Sequence, residues 1–466
     1  MASIRISFAS FLIFAAHALP AQTLEPRPLF VEGYTSQVSY APGEEVTLCI
    51  STSAPKFAIE VGRVGANREV VLTRKDVDGK ENSVPENCSS HGCSWPASFK
   101  FKIPADWKSG YYSVALSAED RGGQFVQRGR RTAASECFFV VRSAKPGSTS
   151  KILLQLATNT YNAYNNWGGH SLYAYHARAK LQGHRVSFDR PPASQFNTWE
   201  QPFVAWCETN GFPLEYAVNG DLEFHPEILP AYKLVLSVGH DEYWSAPMRD
   251  NLEAFIAKGG NVCFFSGNTC CWQVRSEENG RALTSYKQWY NLDPVFQTED
   301  HRLLGTLWSH HLVGRPENTL TGVGFLWGGY HRSHGQFMDG PAAFTVHRPE
   351  HWALAGTNLK RDDQFGGKDT IVGYECGQFC QPGADITLRG SEGATHVMSN
   401  RQGGDLDCVT HAQSQTFHIG IRRRIDPGGC FAQECGRPAK NRIYAPQMRS
   451  QTRLRPVRRS VSQTVA

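Results

Sequence analysis

The chain has 466 residues, 40% hydrophobic and 20% charged, with a formal net charge of +5. That length exceeds one ordinary core and favours two domains plus tails, while the aromatic content excludes a wholly disordered chain. The basic excess is local: eight Lys or Arg and no acid follow Gly436, leaving 40 basic against 43 acidic residues elsewhere, so no nucleic-acid partner is expected of the folded part.

At the start of the chain, Arg5 precedes the apolar stretch Ile6 to Ala16, and Ala16-His17-Ala18 or Leu19-Pro20-Ala21 supplies the small residues of a cleavage site. Residues 1–21 therefore read as a secretory signal peptide, too short for a comfortable membrane span. No later stretch is long and apolar enough for a stable membrane anchor, which predicts a secreted or periplasmic protein. From Leu29 to about Arg142, short runs such as Val46 to Ile50, Phe57 to Val61, Tyr111 to Leu116 and Cys137 to Val141 alternate with turn-rich segments. That pattern predicts an all-β, immunoglobulin-like β-sandwich over 25–143. Ala144 to Ser150 reads as a linker.

Beyond the linker, strands and helices alternate. Ile152 to Leu156 reads as a buried strand, Thr198 and Gln201 resemble a capping box, and Lys233 to Val238 is a second buried strand. Ser245 and Pro247 then open a helix with Met248, Leu252, Phe255 and Ile256 on one face, which Gly259-Gly260 ends before a third strand, Asn261 to Phe265. A strand, helix and strand with short connections form a βαβ unit with a right-handed crossover. A flavodoxin-like or amidotransferase-like layered α/β domain is therefore expected over 151–435, followed by a basic, Arg-, Ser- and Pro-rich disordered tail over 436–466.

Thirteen cysteines in an exported chain predict disulfides. Cys88 and Cys93 are close enough for a local loop, and Cys49 with Cys137 would staple two strands of the sandwich. Cys207 and Cys263, in apolar runs, suit buried thiols equally well. Cys270-Cys271 and the late group Cys376, Cys380, Cys408, Cys430 and Cys435 lack the paired spacing of structural zinc.

The densest chemistry is Gly239-His240-Asp241-Glu242-Tyr243-Trp244, directly after the second strand. Open α/β sheets place ligands at the carboxyl ends of their strands. If the chain stays extended there, His240 and Glu242 project to one side and Asp241 to the other. The loops at Thr158 to Gly169 and Ser266 to Thr269 should reach the same rim.

The stretches Tyr161 to Tyr173, Gly239 to Ser245 and Gly259 to Asn268 resemble the large (beta) subunit of N,N-dimethylformamidase and its relatives. The likeness continues more weakly at Phe344 to Ala355 and Ile371 to Glu375. The resemblance implies an amide hydrolase with a mononuclear iron site, ferric in character, held by two tyrosines and a glutamate, with a histidine and an asparagine nearby. Carried onto this chain, the metal ligands are Glu242, Tyr161 with Tyr164 as its competitor, and Tyr112 with Tyr111 as its competitor. The histidine is His240 and the asparagine Asn268. Two phenolates and a carboxylate suit a hard, highly charged cation, and metal binding would be needed to ionise tyrosine near neutral pH. Iron would polarise the carbonyl of a small-molecule amide substrate and acidify bound water. His240 would act as general base or proton shuttle, Asn268 would donate to the oxyanion, and Glu375 would orient a neighbouring group. The resemblance also implies a small accessory subunit or homo-oligomer as partner.

Each residue also has a plainer reading. Tyr112 shares a strand face with Val114 and Leu116 and suits a core tyrosine, Tyr161 suits a packing residue, His240 and Glu242 suit a structural ion pair, and Asn268 suits a turn. The alternative function is an exported, non-catalytic module whose aromatic rim binds a carbohydrate or peptide. A serine or cysteine hydrolase is disfavoured, because neither G-x-S-x-G nor G-x-C-x-G follows any strand.

Overall fold

In a computed structural model of the chain, the described residues are 28–120, 131–175, 177–322, 329–330 and 343–366, with short strands at 375–378, 388–390, 397–400 and 406–409. The expected signal segment and basic tail lie outside the described residues, as do Cys380, Cys430 and Cys435. The unit that holds the described residues ends at Ile425.

Eight strands build the first two sheets: β1 (Val31–Thr35), β2 (Ser39–Tyr40), β3 (Glu45–Thr52), β4 (Lys56–Val64), β5 (Arg68–Asp78), β6 (Phe99–Lys102), β7 (Gly110–Asp120) and β8 (Arg131–Val141). One sheet has the order β1-β3-β6 and the other β2-β8-β7-β4-β5. All pairings are antiparallel except β2 with β8. Their inner faces share a core that includes Leu48, Ile59, Val61, Tyr112, Val114 and Phe139. The period-2 alternation of strand side chains sends Tyr111, Phe138 and Val140 to the opposite face, where they join a second core with the segment beyond residue 150.

That segment carries a parallel sheet of order β11-β9-β12-β14, with β9 (Ile152–Leu156), β11 (Glu215–Val218), β12 (Leu234–His240) and β14 (Asn261–Gly267). Alternation again divides the strands. Leu154, Leu156, Leu236 and Val238 face the sandwich and the helix α3 (Phe196–Thr209), whereas Leu153, Val235, Val262 and Phe264 face the helix α5 (Ala246–Ala257). The Ser245 hydroxyl accepts from Met248 N at 3.3 Å to cap α5, and Pro247 sits in its first turn. The helix ends before Gly259, whose φ of 96° suits glycine. Helix α3 departs from the expectation: it starts at Phe196, so Thr198 lies within its first turn and does not cap it. Ser194 instead accepts from Phe196 N at 3.2 Å.

Residues 144–150 are pinned. The Glu215 carboxylate accepts from Gly147 N, Thr149 N, the Thr149 hydroxyl and Ser150 N at 2.6–3.2 Å, and from the Tyr232 hydroxyl at 2.6 Å. A further sheet of order β10-β16-β15-β13 lies beside the parallel one, formed by β10 (Arg185–Ser187), β13 (Tyr243–Ser245), β15 (Trp272–Glu277) and β16 (Ala282–Thr284).

The expected disulfides are not formed. Cys49, Cys88, Cys93, Cys137, Cys207, Cys263, Cys270 and Cys271 are all buried free thiols. Cys49 turns towards a small cluster with Tyr34, Cys88, Cys93 and Trp95, while Cys137 faces the sandwich core. A staple between Cys49 and Cys137 would have to join two separate clusters. Among the described residues no helix is long and apolar enough to cross a membrane.

Candidate active site

Strands β12 and β14 run in parallel register, with His240 paired to Gly267, so the residues that follow each strand emerge on one rim. Gly239 has φ 86°, and a Cβ there would stand 2.4 Å from Trp199 Cβ of α3. Only glycine allows the strand end to bend this close to the helix. Past His240, the backbone is clamped on both sides. Asp241 N donates to the Ser266 hydroxyl and Cys270 N to Asp241 O, each at 2.9 Å. Glu242 N donates to the Thr160 hydroxyl and Trp272 N to Glu242 O, also at 2.9 Å.

The side chains part as the alternation predicts. Asp241 turns inward, accepting from Gln155 Nε2 at 2.6 Å, Ser237 at 2.8 Å and Asn219 at 3.1 Å. Burial pushes its carboxyl up to about 6 despite those bonds. Glu242 turns to the other side, into a cluster of aromatic donors. Its carboxylate accepts from the Tyr164 hydroxyl at 3.0 Å, the Tyr173 hydroxyl at 2.9 and 3.0 Å and the Trp272 indole at 2.8 Å, and His240 Nε2 stands 3.2 Å away. A relay extends outward: Tyr243 donates to the Tyr173 oxygen at 2.7 Å, and Lys287 Nζ to the Tyr243 oxygen at 2.8 Å.

Electrostatics follow from this packing. Glu242 is 4% exposed, and burial alone would raise its pKa. Its contacts with His240, the nearby Lys287 charge and the Tyr173 hydrogen bond outweigh burial and hold it below the ordinary carboxylate value. Burial, then the adjacent Glu242 charge, push the Tyr173 and Tyr243 phenols well above theirs. The cluster is thus an ionised carboxylate ringed by neutral phenols.

Of the residues expected at the site, the structure brings His240 and Glu242 together and places Asn268, 4% exposed with φ 49°, just past the neighbouring strand end. Tyr164, the competitor of Tyr161, reaches Glu242. Tyr161 lies one turn earlier on α2 (Thr158–Tyr164) and donates to Glu200 Oε1 in a buried pair. The segment expected as a loop there is a helix. Tyr112 is not brought to Glu242: it packs in the sandwich core, stacked 4.9 Å from Trp107 and 5.4 Å from Phe139, with its hydroxyl on Lys108 O at 2.7 Å. Tyr111 lies on the other face of β7, stacked 4.0 Å from Phe196, its hydroxyl on Ser194. The side chain of Glu375 lies outside the described residues.

Sequence reasoning missed Tyr173, Trp272 and Lys287. Tyr173 ends the Tyr161-to-Tyr173 stretch and carried a signal by position; Trp272 and Lys287 carried none. Among the described residues, no three His, Cys, Asp or Glu side chains converge as a metal site; the oxygens that stand nearest the Glu242 carboxylate are the Tyr164 and Tyr173 phenols. A separate cleft of about 1000 Å³, bordered by Arg63, Trp107, Glu208 and Phe212, shares none of its lining with this cluster.

A buried carboxylate, imidazole and pair of phenols thus gather at the carboxyl ends of parallel strands, where proteins of the α/β class place their ligands. The chain belongs to the N,N-dimethylformamidase beta subunit-like, C-terminal family, whose model matches residues 58–423. It is similar to the N,N-dimethylformamidase beta subunits of an Alcaligenes species and of Paracoccus aminophilus, at 25% identity over 226 residues in each case. Those alignments cover 39% of this chain and 28% of each relative, so the chain spans little more than a quarter of their length. A sporulation control protein of Bacillus subtilis, Spo0M, aligns in structure over 26% of this chain and 51% of its own, at 15% identity and a TM-score of 0.18.

Proposed function

We propose that this chain is an iron-dependent hydrolase of an amide or other C–N bond in a small molecule, with Glu242 at its centre. The observation that carries the reading is the gathering of Tyr164, Tyr173, Trp272 and His240 within 3.2 Å of one buried carboxylate. The family, whose relatives are named as dimethylformamidase subunits, supports the reaction class.

The donor set fits the metal. A carboxylate and two phenol oxygens form a hard, all-oxygen group that becomes trianionic on full ionisation, which favours ferric iron over softer or less charged ions. Glu242, Tyr164 and Tyr173 would hold it, with Tyr164 and Tyr173 taking the roles expected of Tyr161 and Tyr112. When bound, iron supplies Lewis acidity towards a carbonyl oxygen and a water. The chain's own residues do the rest. Glu242 enters already ionised, so only the phenols must lose protons. His240, on the same face, serves as general base or proton shuttle between water and the leaving amine. Asn268, at the neighbouring strand end, donates to the developing oxyanion. The aromatic walls exclude bulk water, which strengthens each of these contacts.

The remaining expectations belong to the same proposal: an immunoglobulin-like sandwich joined to an amidotransferase-like layered sheet, export from the cytosol, and a small accessory subunit or homo-oligomer as partner. The relatives' description as beta subunits supports the last. The test is amine release from a panel of small formamides and acetamides by iron-loaded protein. Release that Glu242→Gln abolishes while the fold persists is the expected result. A panel that yields no amine from folded, iron-loaded wild type would refute the reading and favour a binding module.

A further inference from the structure

Lys287 carries a positive charge into the aromatic wall of the site. It is 4% exposed, and its Nζ lies 3.3 Å from the centroid of the Tyr173 ring, 4.8 Å from that of Trp272 and 5.5 Å from that of Tyr243. It also donates to the Tyr243 hydroxyl at 2.8 Å. An ammonium facing several aromatic rings is the arrangement by which proteins bind alkylammonium ligands. Here the cation belongs to the chain itself.

The same rings hold Glu242. Tyr173 and Trp272 donate to its carboxylate directly, and Tyr243 acts through Tyr173. The backbone delivers Lys287 to this place at a conformational cost, because its φ is 55°, in the left-handed region that side chains with a Cβ disfavour. Hydrogen bonds fix that conformation: Lys287 N donates to Gly305 O at 2.7 Å, and Lys287 O accepts from the Thr306 hydroxyl at 2.9 Å. A strained residue held from both sides, with a buried charge at its tip, points to a specific task for that charge.

We propose that Lys287 is a positioning residue whose ammonium is a built-in cation: it clamps Tyr173, Tyr243 and Trp272 in the orientation that holds Glu242, and the cage it fills becomes a binding site for methylammonium when the side chain is removed. The inference rests on Glu242 being the functional carboxylate. Its test needs neither iron nor turnover, so it can fail while the hydrolase reading stands, and the reverse.

The experiment uses the full chain as wild type, Lys287→Gly, Lys287→Met and Lys287→Arg. Glycine suits the left-handed backbone and leaves the cage open, methionine fills it without charge, and arginine keeps the charge. Near-UV circular dichroism reports the rings, and calorimetry at constant ionic strength reports methylammonium binding, with methanol as the neutral control. Lys287→Gly should lose part of the wild-type near-UV signal and regain it on binding methylammonium in the millimolar range, at least about ten-fold more tightly than methanol. Wild type should show no saturable binding, Lys287→Arg should keep most of the signal, and Lys287→Met should lose it without rescue. A wild-type spectrum in Lys287→Met would overturn the proposal. So would a folded Lys287→Gly that binds methylammonium no better than methanol. If Lys287→Gly does not fold, the Met and Arg spectra decide: loss in Met and retention in Arg support the clamp, and equal spectra refute it.

Discussion

Replacing Glu200 by Gln should reverse the order of stability between acid and alkaline pH. Glu200 is fully buried in α3, accepting from the Tyr161 hydroxyl and, at 3.3 Å, from Ala157 N. Its second oxygen has no hydrogen-bond partner among the described residues. Burial is the dominant influence and pushes its carboxyl up to about 8 from an ordinary 4.5, against the pull of those two bonds. The folded state therefore holds a proton that the unfolded chain releases. The stability this supports is fully present below the ordinary carboxyl value and is lost as pH rises through about 8. A shift of that size corresponds to stability on the order of 5 kcal/mol. Gln keeps an acceptor for Tyr161 and cannot ionise, but places an amide group where no acceptor is described, at a cost of about 1–3 kcal/mol. Urea unfolding at pH 5 should find the variant less stable by about that amount. At pH 9 it should be more stable than wild type by a few kcal/mol. Wild-type and variant stabilities that stay parallel from pH 5 to pH 9 would refute the claim that Glu200 is buried in its neutral form.

Tyr164→Phe and Tyr173→Phe should each lower iron content and any phenolate-to-iron absorption, whereas Tyr161→Phe and Tyr112→Phe should leave both unchanged, as read by metal analysis and visible spectroscopy. Tyr112→Phe removes one buried hydrogen bond, to Lys108 O, and should cost about 1 kcal/mol in urea unfolding. Glu215→Gln weakens the five-donor clasp on residues 147–150 and on Tyr232. Those hydrogen bonds outweigh burial and hold the Glu215 carboxyl below its ordinary value, so its contribution is present above that value and lost as pH falls through the depressed one. The variant should be destabilised by about 1–3 kcal/mol at pH 7, with the gap closing in acid. Cys49, Cys88, Cys93, Cys137, Cys207, Cys263, Cys270 and Cys271 are buried thiols, so alkylation of reduced, native protein should be slow at all eight and complete on unfolding; rapid labelling of Cys49, Cys88 or Cys93 would contradict their packing.

What was legible in the sequence follows from period and punctuation. The apolar run ending at Val238 sits in β12, and Ser245, Pro247 and Gly259 bound α5 as read, because local signals suffice for such elements. Alternation alone placed His240 with Glu242 and set Asp241 apart. Helix α2 was illegible for the opposite reason. Its Thr, Asn and Tyr residues have no apolar period, and it is supported by distant partners such as Asn219, which accepts from Asn159 N, and Glu242, which donates to Thr160. Tyr161 and Tyr164 are one turn apart on that helix, and only the packing of α3, which supplies Glu200 to the first, separates their roles. Tyr111 and Tyr112 divide between two faces of β7, and the strand face shared with Val114 and Leu116 had already suited Tyr112 to the core. Trp272 reaches Glu242, and Lys287 reaches the rings around it, through the fold of the β15–β16 sheet, which no local pattern announced.

Glu242, Tyr164 and Tyr173 are the proposed ligands of the iron. Metal analysis of the purified full-length protein, run with its visible spectrum, tests this most directly. The expected result is close to one iron per chain and a phenolate-to-iron absorption band that Tyr164→Phe and Tyr173→Phe diminish and Tyr161→Phe preserves. Folded wild-type protein that stays colourless and metal-free after exposure to iron would contradict it.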